Sequence, residues 1–423
     1  MSLKYVRRHI DERLDALVPH LPAILLDGPK GVGKTLTALQ RAKSVLRLDT
    51  PQVQNLVAGN LESIHLGDKP ILLDEWQRSP EVWTEVKRAV DSDNAGGQYI
   101  LTGSFPSRPT HSGAGRIVDL RMRPMTLIER QVATSEISLM ALSLETQVQI
   151  FGETKLVAQD YMSEVFSSGF PGLRSDVDEI VETQISAYVN RIVDVDVAIE
   201  GVGTRKPASL MAWLKSYAAA TSTTSTMETI RDSSKIGFEA ALSRPAVESI
   251  LEALTRLRIL DDVPAWIPLG SDFARLGSLP KRYLADPALA VNLLGYRKSD
   301  LLSGQEGEPN FDRYGPLIGR LFEALAVLCI RVYAESNSWK VSHFRDRNGR
   351  REVDLILEVG GSKVIAVEIK LAQTPRDSDF GNLLWLKEQL GDRVVDSVLI
   401  TTGPYAYRHN NGVAVVPLGL LGP

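Results

Sequence analysis

Two groups of residues in this sequence could perform chemistry, and the first is a glycine-rich loop near the start of the chain. The apolar run at residues 23–26 leads into Gly28-x4-Gly33-Lys34-Thr35, which is the phosphate-binding P-loop pattern. Glycines let successive backbone N–H groups converge on phosphate oxygens, and the positive end of the following helix adds to the attraction. An ordinary glycine turn is the alternative, but the preceding strand argues against it.

The loop therefore predicts a nucleotide site that takes ATP together with Mg2+. Lys34 would contact the β- and γ-phosphates, and the Thr35 hydroxyl would ligate Mg2+. The residues expected to bind the nucleotide are consecutive in the sequence: Gly28, Pro29, Lys30, Gly31, Val32, Gly33, Lys34, Thr35 and Leu36.

An acidic pair follows the next strongly apolar run, in KPILLDEWQ at residues 69–77. An aspartate at the end of a strand beside a P-loop can hold Mg2+, here Asp74, and an adjacent glutamate, here Glu75, can orient the attacking water. Two acids after an apolar run often mark only a strand that meets solvent. Their position downstream of a P-loop favours catalysis, and Glu75 argues against a small-molecule kinase, which needs no water-activating base.

Two further candidates follow a third apolar run, QYILTGS. Ser104 at its end could sense the γ-phosphate, and Thr102 is the alternative for that role. Arg116 follows two glycines of the segment GAGRIVDLRMRPM. It could cross a subunit boundary as an arginine finger, which would require a homo-oligomer, or it could pair with an acid of the same chain.

The second chemical group lies near the end of the chain, in REVDLILEVGGSKVIAVEIK at residues 351–370. Residues two apart on a strand share a face, so Glu368 and Lys370 would point the same way. The Gly360-Gly361 turn would fold the preceding strand back and bring Asp354 opposite or nearly opposite Glu368. Upstream, Glu323 lies in a nearly all-apolar helical stretch, where a carboxylate needs a partner. Arg320, three residues earlier, would be a simpler partner for Glu323 than a bound ion.

These residues require positioning elements, and the sequence predicts an α/β protein. Apolar runs that precede the P-loop, Asp74 and Ser104 are typical of buried parallel strands. Between residues 208 and 269 the helical stretches include RPAVESILEALTRLRIL, which has Ser243 as a cap and Pro245 in its first turn. A helix, three strands, a helix and a further strand are then expected near the C-terminal end.

Composition limits the classes of function. A net charge of -4 means that any nucleic-acid site must be a local basic patch. The single cysteine, Cys329, excludes an internal disulfide framework and suggests a reducing, cytoplasmic location. No run of about eighteen apolar residues predicts a membrane span, so no membrane partner is expected.

The N-terminal motifs resemble AAA-type P-loop ATPases of the additional-strand class. They are more closely similar to a prokaryotic subgroup with a C-terminal domain of unknown function. The stretches that stand where that subgroup's features would be are DEWQ, LTGS, Gly115-Arg116 and Ser168-Gly169-Phe170-Pro171. The subgroup also implies a winged helix in the middle of the chain. At the start of the third helix of this winged helix, Arg244 and Glu248 are the evident residues that could contact bases. A protein-contact role is as reasonable there as DNA reading.

The C-terminal pattern resembles the PD-(D/E)XK nucleases of the restriction-endonuclease-like fold, with Val353 where a proline usually stands. If such a site is active, Glu323, Asp354 and Glu368 would hold one or two Mg2+ ions, and Lys370 would hold the attacking hydroxide. The neighbouring arginines could contact a DNA backbone or simply form a solvated loop; they are Arg345, Arg347, Arg350 and Arg351.

The expected organisation is a P-loop ATPase domain at residues 1–135, a helical lid or connector at 136–207, a winged-helix-like domain at 208–270 and a restriction-endonuclease-like domain at 271–423. The predicted function is ATP hydrolysis by a DNA-associated protein, with the nucleotide state coupled to the nuclease-like domain. The alternative is a regulatory or protein-binding ATPase whose nuclease-like domain is catalytically inactive.

Overall fold

A computed structural model describes residues 5–103, 115–144, 148–199, 207–235, 242–267, 279–304, 308–346 and 348–423 of the chain. The described helices are α1 (His9–Leu17), α2 (Lys34–Leu39), α3 (Pro51–Gly59), α4 (Glu81–Ser92), α5 (Leu139–Leu144), α6 (Ala158–Phe166), α7 (Asp178–Arg191), α8 (Val197–Ile199), α9 (Pro207–Ala219), α10 (Met227–Ser233), α11 (Arg244–Arg256), α12 (Pro287–Leu294), α13 (Lys298–Leu301), α14 (Phe311–Ser336) and α15 (Gly381–Leu390).

The strands form three sheets. They are β1 (Ala23–Asp27), β2 (Ser44–Arg47), β3 (Ile71–Asp74), β4 (Tyr99–Gly103), β5 (Ile117–Arg121), β6 (Ile137–Ser138), β7 (Gly152–Glu153), β8 (Lys340–Arg345), β9 (Glu352–Gly360), β10 (Lys363–Ile369), β11 (Val394–Thr401), β12 (Tyr405–Arg408), β13 (Ala414–Pro417) and β14 (Leu421–Gly422).

The N-terminal sheet is parallel and has the order β2-β3-β4-β1-β5. Apolar runs make its central strands fully buried, because helices cover both faces. Ile24 and Leu26 face one hydrophobic core, while Ala23 and Leu25 face another. Strand β4 lies between the P-loop strand β1 and the acidic strand β3. The predicted P-loop core with an additional strand is therefore confirmed.

The C-terminal sheet has the order β7-β12-β13-β11-β10-β9-β8. Strands β8, β9 and β10 are antiparallel neighbours, and β11 runs parallel to β10 after the connecting helix α15. The long helix α14 precedes them, so the expected order of helix, three strands, helix and strand is present. Strand β7, from the region predicted to be a lid, joins this sheet through β12.

The middle of the chain contains α9, α10 and α11 in the predicted order. Helix α11 begins as its sequence indicates, with the Ser243 hydroxyl accepting a hydrogen bond from the Ala246 amide. Beyond it, Leu260 pairs with Leu284 and Val263 with Lys281 in an antiparallel arrangement. This pairing crosses the boundary expected between residues 270 and 271, so the middle segment and the C-terminal segment are joined there.

The two ends of the chain are also joined. Strand β14 pairs in parallel with β6, and the Ser138 hydroxyl donates to the carbonyl of Pro423 at 2.6 Å. One hydrophobic core extends from β1 through α6, α7, α9 and α11 to α14. Within the described residues, none of the helices has the length and apolar character that crossing a membrane requires.

Candidate nucleotide site and C-terminal ionic cluster

The P-loop connects the carboxyl end of β1 to α2, and its glycines are required by the geometry. Gly33 has φ +108° at the N-terminus of α2, a conformation that residues with a side chain rarely adopt. A Cβ atom on Gly28 would lie 2.3 Å from the carbonyl oxygen of Met122, which follows β5. The loop can therefore lie against β5 only because residue 28 has no side chain.

Lys34 lies inside the curve of this loop. Its ammonium donates to the carbonyl of Gly28 at 2.7 Å and to that of Pro29 at 2.9 Å. Burial lowers the pKa of Lys34 to about 8, although the carboxylates of Glu75, Asp27 and Asp74 favour its charged form. The ammonium is thus held where the loop would receive phosphate.

The two predicted Mg2+ ligands of this site lie side by side. The Thr35 hydroxyl, in the first turn of α2, donates to Asp74 Oδ1 at 2.8 Å. Thr102 is the strand partner of Asp74, and its hydroxyl donates to the same oxygen. Hydroxyl and carboxylate oxygens are the donors that Mg2+ prefers, so these residues fit the ion. Thr102 was the alternative to Ser104, which lies outside the described residues.

Glu75 follows β3 in a left-handed conformation with φ 57°. Such backbone is uncommon for residues with a side chain and is often found at functional sites. Its carboxylate accepts a hydrogen bond from Gln77 Nε2 at 2.5 Å. The side chain is therefore oriented directly beyond Asp74, at the edge of the sheet where β1 and β3 end.

Arg116 has an acidic partner of its own chain. It forms an ion pair with Asp91 at the end of α4, and its side chain is about half exposed. The sequence allowed either an arginine finger that crosses a subunit boundary or pairing with an acid of the same chain. The structure shows the ion pair within the chain.

A cavity of about 260 Å³ adjoins the P-loop at Gly33. Its walls come from the N-terminal segment, the P-loop helix, the residues after β5 and the turn after α6; they are Tyr5, Val6, Arg8, Gly33, Leu36, Thr37, Met122, Met125, Glu129, Arg130, Gln131, Pro171 and Arg174. Apart from Gly33 and Leu36 of the P-loop and Pro171 of the stretch at residues 168–171, no local sequence pattern marks these residues as part of a site.

Buried Arg8 links this cavity to the phosphate loop, a role that the sequence does not reveal. Its guanidinium donates to the carbonyl of Val32 at 3.0 Å and to that of Arg123 at 2.6 Å, and it pairs with Glu129 at 3.1 Å. The P-loop is also held from the middle of the chain, because Arg258 pairs at 2.5 Å with Asp27, the residue before Gly28. Arg258 itself has a left-handed backbone, with φ 60°.

The C-terminal acids lie close together, as a second cluster. Pairing between β9 and β10 ends at Leu355 and Val367. Beyond that point the amide of Ile369 donates to the Asp354 carboxylate at 2.8 Å, and Lys370 pairs with Glu368 at 2.7 Å. These residues and Glu323 of α14 interact electrostatically.

An unpredicted cation lies at the centre of this cluster. The Lys281 ammonium is 2.7 Å from Asp354, 2.7 Å from Glu352 and 3.1 Å from Glu323. Its side chain is only 2% exposed. In the part of the chain that the structure describes, no group of three or more His, Cys, Asp or Glu residues is arranged to hold a metal. The cluster therefore differs from the expected Mg2+ site, because a lysine occupies the position between the acids.

Burial and mutual repulsion raise some carboxyl pKa values in the cluster. Burial raises the pKa of Glu323 to about 7, and burial followed by the charge of Asp354 raises that of Glu368 to about 8. Burial also opposes ionisation of Asp354, but the nearby Lys281 and Lys370 lower its pKa overall. Asp354 is therefore the ionised partner of Lys281.

Several predicted DNA-contacting residues have partners within the chain. Arg244, at the start of α11, pairs with Glu228. Arg345 pairs with Glu352 at 3.3 Å and donates to the Thr224 hydroxyl at 2.9 Å, and the Arg351 guanidinium lies 5.4 Å from the centre of the Trp385 ring. Arg347 lies outside the described residues.

Comparison with known protein families adds to this geometry. Residues 20–130 match the AAA domain family. This match covers the P-loop and the five strands of the parallel sheet. Residues 158–300 match a domain of unknown function (DUF8612), and residues 318–421 match another (DUF4143). The latter agrees with the expected C-terminal domain of unknown function, but neither match names a winged helix or a nuclease.

Comparison with individual proteins is less informative. No curated protein matches the sequence. Among solved structures, the Walker-type ATPase PABY2304 of Pyrococcus abyssi is 14% identical, with a TM-score of 0.39, over 68% of this chain and 96% of that one. Because that score is low, we base no conclusion on this likeness.

Proposed function

We propose that the protein hydrolyses ATP at the P-loop in a Mg2+-dependent reaction. The observation that carries the proposal is the 2.8 Å hydrogen bond between Thr35 and Asp74, formed beside the Lys34 ammonium where β1 and β3 end. These residues would hold Mg2+, which would neutralise charge on the β- and γ-phosphates when bound. Lys34 would exchange its loop carbonyls for phosphate oxygens.

Glu75 is the proposed residue that orients the attacking water. Its hydrogen bond from Gln77 holds the carboxylate just beyond the Mg2+ ligands, so the water would lie between Glu75 and the γ-phosphate. The cavity beside Gly33 would accept the base. Apolar side chains of Leu36, Met122 and Met125 line it, which suits a flat heterocycle.

Single-turnover hydrolysis of ATP by Glu75→Gln tests this assignment. We expect ATP binding to persist while the rate falls by about 10²–10⁴-fold, the usual contribution of a positioned general base. Glu81→Gln is the matched control, because Glu81 is exposed in the first turn of α4. An unchanged rate in Glu75→Gln would show that this residue does not activate water. The variant Lys34→Ala tests the phosphate site separately, and we expect it to lose ATP binding.

We further propose that the nucleotide state acts on the rest of the chain through ion pairs. In this proposal the C-terminal domain has a regulatory role and is catalytically inactive. Arg258 of the middle segment holds Asp27 beside the P-loop, and Lys281 fills the position that a nuclease metal would take. DNA association by the middle helices or the Arg345–Arg351 region stays a prediction. A salt-dependent shift of a labelled duplex in the presence of the protein would test it.

A further inference from the structure

The position of Lys281 is fixed by its backbone as well as by its charge. Its amide donates to the carbonyl of Val263 at 3.0 Å, and the Val263 amide donates to the carbonyl of Lys281 at the same distance. Both residues belong to the pairing that joins the middle segment to the residues before α12. The ammonium therefore enters the cluster from a paired and buried segment.

The carboxylates of Glu323, Glu352 and Asp354 lie at hydrogen-bond distances from this ammonium. Nitrogen–oxygen separations of 2.7–3.1 Å suit an ammonium, whereas Mg2+ requires oxygens at about 2.0–2.1 Å in an octahedral arrangement. Lys281 and Mg2+ could not both lie among the same oxygens, since two positive charges would then be within about 3 Å in a buried site. The residues present thus do not fit a resident divalent ion.

One oxygen of the cluster lacks the partner that burial demands. Glu368 is 4% exposed, and its Oε1 atom accepts from Lys370 at 2.7 Å. Its Oε2 atom is buried and has no hydrogen-bond partner among the described residues. A buried carboxylate oxygen without a donor is costly, and it is a ligand still open to a cation.

From these observations we propose that Lys281 replaces a divalent cation in the C-terminal cluster. The ammonium prevents metal binding, and its removal would create a site for a hard divalent ion. The ligands of that site would be the carboxylate oxygens that Lys281 now contacts, those of Glu323, Glu352 and Asp354, and the unpartnered Oε2 atom of Glu368 is a further donor in the same cluster. The cluster then serves to join the middle and C-terminal segments and performs no metal-dependent cleavage.

Mn2+ titration of the full-length, nucleotide-free protein tests the proposal, with free Mn2+ followed by electron paramagnetic resonance. All proteins carry Asp74→Asn, which removes a Mg2+ ligand of the P-loop site. In this background we expect no tightly bound Mn2+ with Lys281 present and about one equivalent with Lys281→Ala. Adding Asp354→Asn to Lys281→Ala should abolish that uptake. Lys298→Ala, at a partly exposed lysine that pairs with Asp178, is the matched control and should bind none.

Thermal unfolding provides a second measurement. Lys281→Ala leaves buried carboxylates without their ammonium, so its unfolding midpoint should be lower than that of the parent in EDTA. A hundred-fold excess of Mn2+ over its Kd contributes about 2.7 kcal/mol and should raise the midpoint of a chain of this length by about 3 °C. The same Mn2+ should leave the parent unchanged.

Two outcomes overturn the proposal. One is a folded Lys281→Ala protein that binds no additional Mn2+. The other is an equivalent of tightly bound Mn2+ in the Asp74→Asn protein that retains Lys281. The second outcome does not depend on the folding of any Lys281 variant, and neither outcome depends on whether the protein hydrolyses ATP.

Discussion

Asp261 is expected to be a sensitive carboxylate, because three parts of the chain meet at its side chain. Arg121 and Arg123, at and after the end of β5, pair with it at 2.9 and 2.6 Å, and Arg331 of α14 pairs with it at 3.0 Å. Arg123 also pairs with Glu335 of the same helix. Asp261 itself lies in the middle segment, so one buried anion connects the ATPase sheet to the C-terminal helix.

The substitution Asp261→Asn removes the charge with little change in shape. Truncating one partner of a buried ion pair typically costs about 3–5 kcal/mol, since the remaining charges stay buried and uncompensated. At Asp261 the remaining charges are three guanidiniums, which would also repel one another. We therefore expect a loss of about 3–5 kcal/mol of unfolding free energy, measured from the shift of the urea midpoint by tryptophan fluorescence.

The pH dependence of this loss follows from the pKa of Asp261. Burial opposes its ionisation, but Arg121, Arg123 and Arg331 hold the pKa far below its ordinary value. A depressed carboxyl pKa contributes stability that is complete above the unfolded value of about 4 and is lost as pH falls through the folded value. The difference between parent and variant should therefore stay constant from pH 8 to pH 5 and shrink only in stronger acid.

Asp232→Asn is the matched control, because Asp232 also pairs with basic residues in the middle segment, Arg231 and Lys235, but on the surface. Exposed pairs of this kind contribute little, so no shift of the midpoint is expected there. A loss below about 1 kcal/mol in Asp261→Asn, or a difference that disappears between pH 8 and pH 5, would refute the view that this carboxylate compensates the arginines.

Two other buried groups have testable consequences for stability. Asp286 accepts hydrogen bonds from the Gly169 amide at 2.5 Å and the Ser168 hydroxyl at 3.1 Å; Asp286→Ala should cost about 1–3 kcal/mol in a urea titration, and an unchanged midpoint would contradict it. Burial lowers the pKa of His343 to about 4, so stability should be complete above pH 6.5 and fall as pH drops towards 4. That acid sensitivity should weaken in His343→Gln. Thermal midpoints of the parent and the variant, measured across the same pH range, check this.

The sequence was most informative where a function depends on neighbouring residues. The P-loop, Asp74 and Glu75 are found from short motifs because a strand, a turn and a helix terminus position each of them. The same applies to α11, whose cap Ser243 and first-turn Pro245 predicted its start. The resemblance to the additional-strand class agrees with the sheet, in which β4 separates β1 from β3.

Residues that act across long distances in the sequence were not predictable. Arg8 reaches Val32 and Arg123, and Arg258 reaches Asp27, through contacts that no periodic pattern encodes. The same limit affected the segment boundaries. Residues 260–263 pair with 281–284, and β7 joins a sheet formed by the last third of the chain. Such pairings depend on tertiary packing, which composition and local spacing do not specify.

The C-terminal cluster shows why a set of ligand types is insufficient to predict a metal. Spacing placed Asp354, Glu368 and Lys370 near one another, but a cation binds only where the surrounding charge is not already compensated. The compensating charge comes from Lys281, which lies 42 residues before Glu323 and 73 residues before Asp354. A lysine at that distance gives no local signal, although it pairs with two of the acids that were expected to bind a metal, Glu323 and Asp354. Whether the acids bind Mn2+ after Lys281→Ala therefore distinguishes a metal site that Lys281 fills from a cluster that lacks metal-binding geometry altogether.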